Sequence, residues 1–337
     1  MDNSVLILTE CGSDIGFGHL TRCLSLAQAF RDAGQSAQIW VAADASDSDR
    51  LPAELRSVNW YGLAGELEVE VAHAHAVLLD SFKIGAEDLD HIFRINPRIA
   101  VIDDYPRREY TSGVVVDWTM GADHFAFQQK HAGVRYLLGS RYCALRPEFQ
   151  CAAEREPLHP VRSVLVTFGG ADVRALTKPV VARLRREFPD LEILVVVGSA
   201  VCDASYRELE DADTSFHVGV DGRQMQALMA QADIAVCGGG QTLYELASQG
   251  LPPVIVTIVD DQVEDIRGFI RAGFGVYAGR WDRPGLLDAI TKGVRELWQP
   301  DIRARHAAVG RQCVDGHGAH RLVSALLAQW EGASLNG

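Results

Sequence analysis

The chain has 337 residues, of which 47% are hydrophobic and 23% are charged, the balance of an ordinary globular protein of about two domains. Its 32 Lys and Arg residues and 45 Asp and Glu residues give a net charge of −13, which argues against a protein that grips nucleic-acid backbone or anionic lipid. No apolar run reaches the ~18 residues of a membrane helix, and the first residues do not resemble a signal peptide. We therefore expect a cytoplasmic protein without nucleic-acid or membrane partners, and its charge favours a monomer over self-association.

The spacing of cysteines and histidines predicts neither a metal site nor a cofactor. The 7 cysteines include no C-x-x-C pair, so reduced thiols are expected rather than a zinc ribbon or a redox dithiol. His73 with His75, and His317 with His320, lack a third ligand at a recognisable spacing. The chain also contains no G-x-x-x-x-G-K-[ST] phosphate loop and no G-x-S-x-G nucleophile motif.

Short β-branched runs alternate with segments of helical periodicity in the first half of the chain. A buried strand is predicted at 5–9, and a helix at 20–33 that Gly34 ends. Further strands are predicted at 37–41, 76–80, 99–103, 114–117 and 135–138. Because these strands are apolar on both faces and helices separate them, they predict a parallel sheet covered on both sides.

The same alternation restarts after a polar segment with two prolines. We interpret 150–161 as a linker, and predict strands at 163–168, 191–197, 216–220, 234–237 and 254–258. The predicted class is therefore α/β, with two doubly wound Rossmann-like domains and a cleft between them. The predicted boundaries are 1–149 and 162–300, followed by C-terminal helices at 301–332. Ligands in such sheets lie beyond the carboxyl ends of the strands.

A glycine-containing loop connects the first strand to the first helix. Gly16 and Gly18 allow a close approach between backbone and ligand, although the spacing is not the G-x-G-x-x-G of dinucleotide sites. His19 lies at the predicted start of the helix, where the positive helix end favours a neutral imidazole. Such an imidazole facing a cleft is a competent general base. A tight turn with a helix-capping histidine is the alternative.

Two glycine loops follow strands of the second half. Gly169 and Gly170 can offer backbone N–H groups to phosphate, or they form a simple turn in which Asp172 caps the next helix. Three glycines at 238–240 run directly into a helix, which favours a diphosphate cradle without a lysine. In that helix, Glu245 can accept hydrogen bonds from ribose hydroxyls; its alternative role is to stabilise the helix dipole.

Several polar side chains remain open to more than one interpretation. Three aspartates lie at the ends of predicted strands, and we interpret each first as a cap of the following helix. They are Asp80, Asp103 and Asp104. Arg146 either pairs with phosphate or holds the hinge between the domains. Asp261 and Gln262 lie in another strand-to-helix loop that is expected to face the same cleft. Asp123 and His124 are loop candidates of little specificity.

Together these segments resemble the PseG family of UDP-2,4-diacetamido-2,4,6-trideoxy-β-L-altropyranose hydrolases. The resemblance is carried by GFGHLTRCLSLAQAF, VIDDY, LLGSRYCALRPEF, VTFGGAD and CGGGQTLYELASQGLP with the later Gln262, in the order of the family. The second half is more distantly similar to MurG-type glycosyltransferases. The chain departs from the family at Phe82, where a tyrosine is frequent, and at Asp261, where an asparagine is common. A carboxylate there would repel a diphosphate unless it is protonated or paired.

The resemblance implies a GT-B fold in which the C-terminal domain holds UDP and water attacks the sugar. It implies cleavage of the C1–O bond with inversion, release of UDP and the free amino sugar, no metal, and a place in pseudaminic acid biosynthesis and flagellin glycosylation. His19 matches the family's catalytic histidine, and we expect Asp14 to orient His19 or a sugar amide. The residues expected to bind the substrate are Gly16, Gly18, Arg22, Phe82, Asp104, Arg146, Gly169, Gly170, Gly238, Gly239, Gly240, Gln241, Thr242, Glu245, Asp261 and Gln262.

Two alternatives use the same scaffold. A UDP-sugar-dependent glycosyltransferase would employ His19 to deprotonate an acceptor hydroxyl instead of water. A non-catalytic protein would bind the UDP-sugar without consuming it, and the departures at Phe82 and Asp261 are its best support.

Overall fold

The structure, a computed structural model, describes residues 4–12, 16–43, 51, 55–104, 108–122, 133–151, 160–198, 206 and 208–334. The chain divides into two units, one formed by Met1–Arg146 with His317–Gly337 and the other by Pro147–Gly316. The chain therefore passes from the first unit to the second just before the segment that we interpreted as a linker, and most of that segment (152–159) lies outside the described residues.

The first unit contains a parallel sheet with helices between its strands. Its elements before the crossover are β1 (Ser4–Glu10), α1 (Gly18–Asp32), β2 (Ser36–Ala42), β3 (Arg56–Ser57), α2 (Glu66–His73), β4 (Ala76–Asp80), α3 (Ala86–Ile95), β5 (Ile99–Ile102), β6 (Gly113–Asp117) and β7 (Val134–Leu138). The strand order is β3-β2-β1-β4-β5-β6-β7. Ile7 of β1 lies between Ile39 of β2 and Leu78 of β4 in register, and it is fully buried. Such strands are apolar on both faces because both faces of the sheet are covered.

The second unit repeats this architecture with six parallel strands. Its elements are β8 (Ser163–Thr167), α4 (Thr177–Glu187), β9 (Glu192–Val197), β10 (Thr214–Val218), α5 (Gly222–Gln231), β11 (Ile234–Gly238), α6 (Gln241–Ser248), β12 (Pro253–Thr257), α7 (Val263–Ala272), β13 (Val276–Arg280), α8 (Leu286–Leu297) and α9 (Pro300–Cys313). The strand order is β10-β9-β8-β11-β12-β13. The predicted class of two doubly wound α/β units is confirmed.

Both sheets reverse their strand order beside the first strand of the unit. The reversal lies between β1 and β4 in the first unit and between β8 and β11 in the second. Ligands of open α/β sheets bind beyond the carboxyl ends of the strands at such a point. The loops after these four strands are therefore the expected positions of the functional residues.

Two strands were absent from the sequence prediction. β3 has only two residues, too few to produce a pattern. β13 carries Gly279 at φ 117°, and glycine weakens the signal of a strand.

The last two helices belong to different units. α9 lies in the second unit, whereas the final helix, α10 (Gly318–Ser334), returns to the first. There Trp330 of α10 stacks on Phe30 of α1 with ring centroids 6.1 Å apart, and both rings are buried. The segment 301–332, which we predicted as one group of C-terminal helices, is thus shared between the units. Within the described part of the chain, every helix is too short or too polar to cross a membrane.

Candidate functional site

The loop after β1 brings His19 to the carboxyl edge of the first sheet. Gly12 and Gly16 exchange two backbone hydrogen bonds, of 2.7 and 3.2 Å, and Gly16 has a φ of 76° that favours glycine. α1 begins at Gly18, and His19 in its first turn is 5% exposed. Asp14, which we expected to orient His19, lies outside the described residues, and its role stays a prediction.

Asp80, at the end of β4, is the residue that holds the imidazole. Its Oδ1 lies 2.8 Å from Nδ1 of His19, and the carboxyl group is fully buried. Burial by itself raises the pKa of Asp80, but the charges and hydrogen bonds of Arg22 and His19 outweigh burial and hold this pKa far below its usual range. An ionised carboxylate only accepts hydrogen bonds, so Nδ1 of His19 carries the proton and Nε2 is the basic nitrogen. The interpretation of Asp80 as a helix cap is therefore wrong.

Arg22 is the second partner of Asp80. Its Nε donates to Oδ2 at 2.6 Å and its Nη2 donates to Oδ1 at 2.6 Å. Its Nη1 donates to Oδ2 of Asp104 at 2.5 Å, and the guanidinium lies 5.0 Å from the ring centroid of Trp118. Arg22 is 7% exposed. Arg22 and Asp104 pair with each other, because a buried charge needs a partner. Their expected contact with the substrate stays a prediction.

Phe82 lies directly against the candidate base. Its ring meets the imidazole of His19 edge-on with centroids 4.5 Å apart, and it is 39% exposed. The buried carboxylate of Glu10 accepts a hydrogen bond from the Phe82 N–H at 2.7 Å and others from the hydroxyls of Ser81 and Tyr61. Glu10 therefore fixes the loop that carries Phe82 to the end of β1.

A second side chain fastens the same loop from the other side. Arg108 donates to the carbonyl oxygens of Ser81, Phe82 and Ile84 over 3.1–3.4 Å, and to Oδ1 of Asp103 at 3.3 Å. Asp103 thus pairs with Arg108 and is no helix cap. An anion at the backbone N–H and a cation at the carbonyls together hold Phe82 in place. Sequence reasoning missed Glu10 and Arg108 in this role, since nothing local to either residue indicates it.

The loop after β8 forms the turn in which Asp172 caps the next helix, which is the alternative given for Gly169 and Gly170 in the sequence analysis. Gly169 has a φ of 83° and is exposed, as is Gly170. Asp172 is buried, and its carboxylate accepts the N–H groups of Leu176 and Thr177 at 2.9 and 3.0 Å. Asp172 therefore caps α4. The exposed glycine backbone ahead of it stays a candidate for phosphate binding.

The three-glycine loop after β11 is closed by Gln262. Gly238 ends β11 and Gly240 precedes α6. Oε1 of Gln262 accepts the N–H groups of Gly239 at 3.2 Å and of Ile258 at 3.1 Å. One N–H group of the expected diphosphate cradle, that of Gly239, therefore already donates to Gln262, and the cradle itself stays a prediction. Gln262 acts here as a brace between the loops after β11 and β12. Its expected contact with the substrate stays a prediction.

The remaining predicted residues are placed as follows. Gln241 and Thr242 are the first residues of α6 and are half-buried, whereas Glu245 in the same helix is 3% exposed. Asp261 is exposed in the 3₁₀ turn Asp260–Gln262. Arg146 is half-buried and is the last residue before the chain enters the second unit, a position that suits its alternative role as a hinge. Asp123 and His124 lie outside the described residues.

Arg174 is a residue that sequence reasoning overlooked. It is exposed in the loop after β8; its Nε donates to the carbonyl of Ile258 at 3.2 Å, and its guanidinium lies 4.2 Å from the ring centroid of Trp281. Ile258 follows β12 and Trp281 follows β13, so the side chain extends past the end of β11 and its glycine loop. The only available signal was an arginine shortly after a glycine pair.

Within the residues that the structure describes, no group of three His, Cys, Asp or Glu side chains is placed to hold a metal ion.

Comparisons with known proteins agree with the family resemblance that these loops predict. No protein-family model matches the chain. It is 29% identical over 202 residues to the spore coat polysaccharide biosynthesis protein SpsG of Bacillus subtilis, which covers 58% of this chain and 59% of that protein. It is 22% identical over 278 residues to a pseudaminic acid cytidylyltransferase and UDP-2,4-diacetamido-2,4,6-trideoxy-β-L-altropyranose hydrolase of Helicobacter pylori, covering 80% and 47%.

The chain is PseG/SpsG-like. The family resemblance that the sequence motifs predicted is thereby confirmed. The PseG/SpsG-like chain spans about half the length of the curated relatives that it matches.

Solved structures establish the fold of this PseG/SpsG-like chain. The glycotransferase of kitacinnamycin superposes with a TM-score of 0.63 at 16% identity, over 97% of this chain and 98% of that one. Acinetobacter baumannii MurG superposes with a TM-score of 0.56 at 14% identity, over 96% and 99%. Both extend over essentially the whole chain, and the predicted GT-B fold is confirmed.

Proposed function

We propose that this protein hydrolyses a UDP-linked diacetamido-trideoxy sugar to UDP and the free sugar, in the synthesis of pseudaminic acid or a related nonulosonate. The His19–Asp80 pair carries the proposal: a buried, ionised carboxylate fixes the proton of the imidazole on Nδ1 and leaves Nε2 as a base. The activity for which the Helicobacter pylori relative is named supports the substrate class.

In this mechanism, Nε2 of His19 takes a proton from water while the water oxygen attacks C1 of the sugar. The bond between C1 and the diphosphate oxygen breaks, and UDP leaves with the electron pair. Asp80 keeps the ring in the correct tautomer and stabilises the imidazolium that forms. General base catalysis of this kind contributes ~10²–10⁴ in rate. Attack opposite the leaving group gives inversion at C1.

We assign the binding of UDP to the second unit. The exposed Gly169–Gly170 backbone and the start of α6 supply N–H donors for the diphosphate, and Arg174 adds a positive charge past the end of β11. Donors aimed at the leaving diphosphate stabilise the charge that develops on it. Glu245 is the proposed acceptor for the ribose hydroxyls.

Proton and phosphorus NMR with UDP-2,4-diacetamido-2,4,6-trideoxy-β-L-altropyranose, in the presence of a chelator, tests the proposal. We expect release of UDP and a free sugar of inverted anomeric configuration. His19→Asn should abolish most turnover and keep UDP affinity. His73→Asn, at an exposed histidine, is the matched control and should leave both turnover and UDP affinity unchanged. Loss of UDP affinity in His19→Asn would contradict the role of His19 as a base.

A glycosyltransferase is the second candidate, because the two superposed structures are those of a glycotransferase and of MurG. His19 would then deprotonate an acceptor hydroxyl. UDP release that requires an added acceptor would favour this function over hydrolysis. Tight binding of the UDP-sugar without any turnover would instead indicate a non-catalytic binding protein.

A further inference from the structure

The carboxylate of Asp80 is shared between two side chains of α1. Oδ1 accepts hydrogen bonds from Nδ1 of His19 at 2.8 Å and from Nη2 of Arg22 at 2.6 Å, while Oδ2 accepts one from Nε of Arg22 at 2.6 Å. The spacing of three residues places His19 and Arg22 on the same face of the helix. Because the guanidinium fork grips both oxygens, it fixes the rotation of the carboxylate that His19 uses.

Within the residues that the structure describes, four ionisable groups belong to the hydrogen-bonded set around the imidazole, and their charges can be counted. Arg22 and Cys23 come from α1, Asp80 from the end of β4, and Asp104 from the segment after β5, where it accepts from Nη1 of Arg22 at 2.5 Å. The Cys23 thiol lies 3.5 Å from Oδ2 of Asp80, and burial together with the charge of Asp80 raises its pKa and keeps it neutral. One positive charge therefore faces two negative charges. Phe82 contacts the ring edge-on as an uncharged neighbour.

We propose that Arg22 is a positioning residue, which orients Asp80 toward His19 and, together with Asp104, sets the pH range in which His19 accepts a proton. A buried carboxylate beside an imidazole favours the protonated ring, and a bidentate arginine on that carboxylate offsets this attraction. Asp104 draws part of the arginine's charge away from Asp80. Removal of Arg22 and removal of the Asp104 charge should therefore act in opposite directions. The proposal rests on the proposed function only in taking His19 as the base.

The test follows the His19 ring directly by NMR of isotope-labelled histidine between pH 4.5 and 9, without substrate. In Arg22→Gln, the midpoint of the ring titration should move up by about one pH unit, a tenfold change in proton affinity. In Asp104→Asn, it should move down by a smaller amount. Arg22→Lys should keep the midpoint close to that of the parent protein. The exposed Arg31→Gln, also on α1, is the matched control and should change nothing.

The acid limb of the kcat/KM profile should follow the ring titration in each variant, whereas a purely structural role would lower kcat at all pH values alike. Shifts of the midpoint in the same direction for Arg22→Gln and Asp104→Asn, or no shift in either, would overturn the proposal. If Arg22→Gln does not fold, Asp104→Asn decides by its downward shift. Opposite shifts in a protein that shows no hydrolysis would uphold this inference while the proposed function fails. Hydrolysis without any shift of the titration midpoint would uphold the proposed function and overturn this inference.

Discussion

The two sheets share the order of their first six strands, but the residues at their carboxyl edges differ in kind. At the edge of the first sheet, buried ionisable side chains contact one another, and His19, Arg22, Asp80 and Asp104 form one connected set. At the edge of the second, the corresponding loops after β8 and β11 each contain adjacent glycines, Gly169–Gly170 and Gly239–Gly240.

In the proposed function, this difference lets one architecture serve two tasks. A base needs a defined tautomer and a controlled local charge, which only packed side chains can supply. An anion needs several donors close together, which glycine backbone and a helix start supply with little side chain in the way. Substitutions within the connected set at the first edge should therefore change turnover, and substitutions in the glycine loops at the second should change nucleotide affinity or stability.

The largest expected effect is that of Asp80→Asn at the first edge. With its amide oxygen in the place of Oδ2, the new side chain keeps the Nε donor of Arg22 and turns its NH₂ group toward Nδ1 of His19 and Nη2 of Arg22. The ring proton then moves to Nε2, which removes the base. We expect kcat to fall by about 10²–10⁴ with UDP affinity retained. Steady-state kinetics and calorimetry with UDP measure the two quantities. Asp117→Asn, at the buried end of β6, is the matched control: it should cost stability and not turnover per folded molecule. A similar fall of kcat in both variants would contradict the specific role of Asp80 in holding His19.

Gly239→Ala should have the next largest effect, at the second edge. A Cβ at this position would lie 2.5 Å from the side chain of Ile266, so the loop must shift. Overpacking of this kind costs about 1–3 kcal/mol of unfolding free energy. Gly240→Ala in the same loop meets only Nε2 of Gln262, at 3.6 Å, and should be tolerated. Urea denaturation of the two variants checks the expectation, and equal stabilities would show that the loop is not confined as described.

How much of this was predictable from sequence differs between the two edges. The glycine loops and the strands before them follow from local patterns, because a buried strand and the glycines after it are adjacent in the chain. The contacts of Asp80 do not, since His19 and Arg22 precede it by 61 and 58 residues. A strand-end aspartate looks the same whether it caps a helix or holds a histidine. Only the strand order, which places β4 beside β1, separates these roles.

The brace formed by Gln262 and the position of Arg174 were hidden for the same reason. Gln262 reaches Gly239 across 23 residues, and Arg174 reaches Ile258 across 84. Both link loops that follow different strands of one sheet. A sequence motif indicates that a loop has a special backbone, but the partner that closes the loop comes from the topology.

Arg174→Gln removes a charged side chain from the glycine-containing loop after β8 at the second edge. It should weaken UDP binding about tenfold, or ~1.4 kcal/mol. The guanidinium would be lost from the region beyond β11, and the aromatic ring of Trp281 would lose its cation. Calorimetric titration with UDP measures the change, and the exposed Arg186→Gln on α4 serves as the control. Because a remote charge weakens with salt, any loss seen only below about 50 mM salt would mark long-range attraction and not a direct contact.

The smallest effect concerns a histidine of the second unit that has no place in the proposed chemistry. Nδ1 of His306 accepts the N–H of Gly275 at 3.0 Å, and burial lowers its pKa below the ordinary value of 6.5. The unfolded chain therefore binds a proton more readily than the folded one, so this contribution to stability is complete above about pH 6.5 and is lost as the pH falls below it. We expect His306→Gln to lose on the order of 1 kcal/mol at pH 7.5, the worth of one hydrogen bond, and less at pH 5.5. Denaturation at both pH values, with His73→Gln as control, checks this, and a loss that grows on acidification would contradict a neutral His306. Unlike His19, which is proposed to gain a proton in every turnover, His306 contributes to stability as a neutral imidazole.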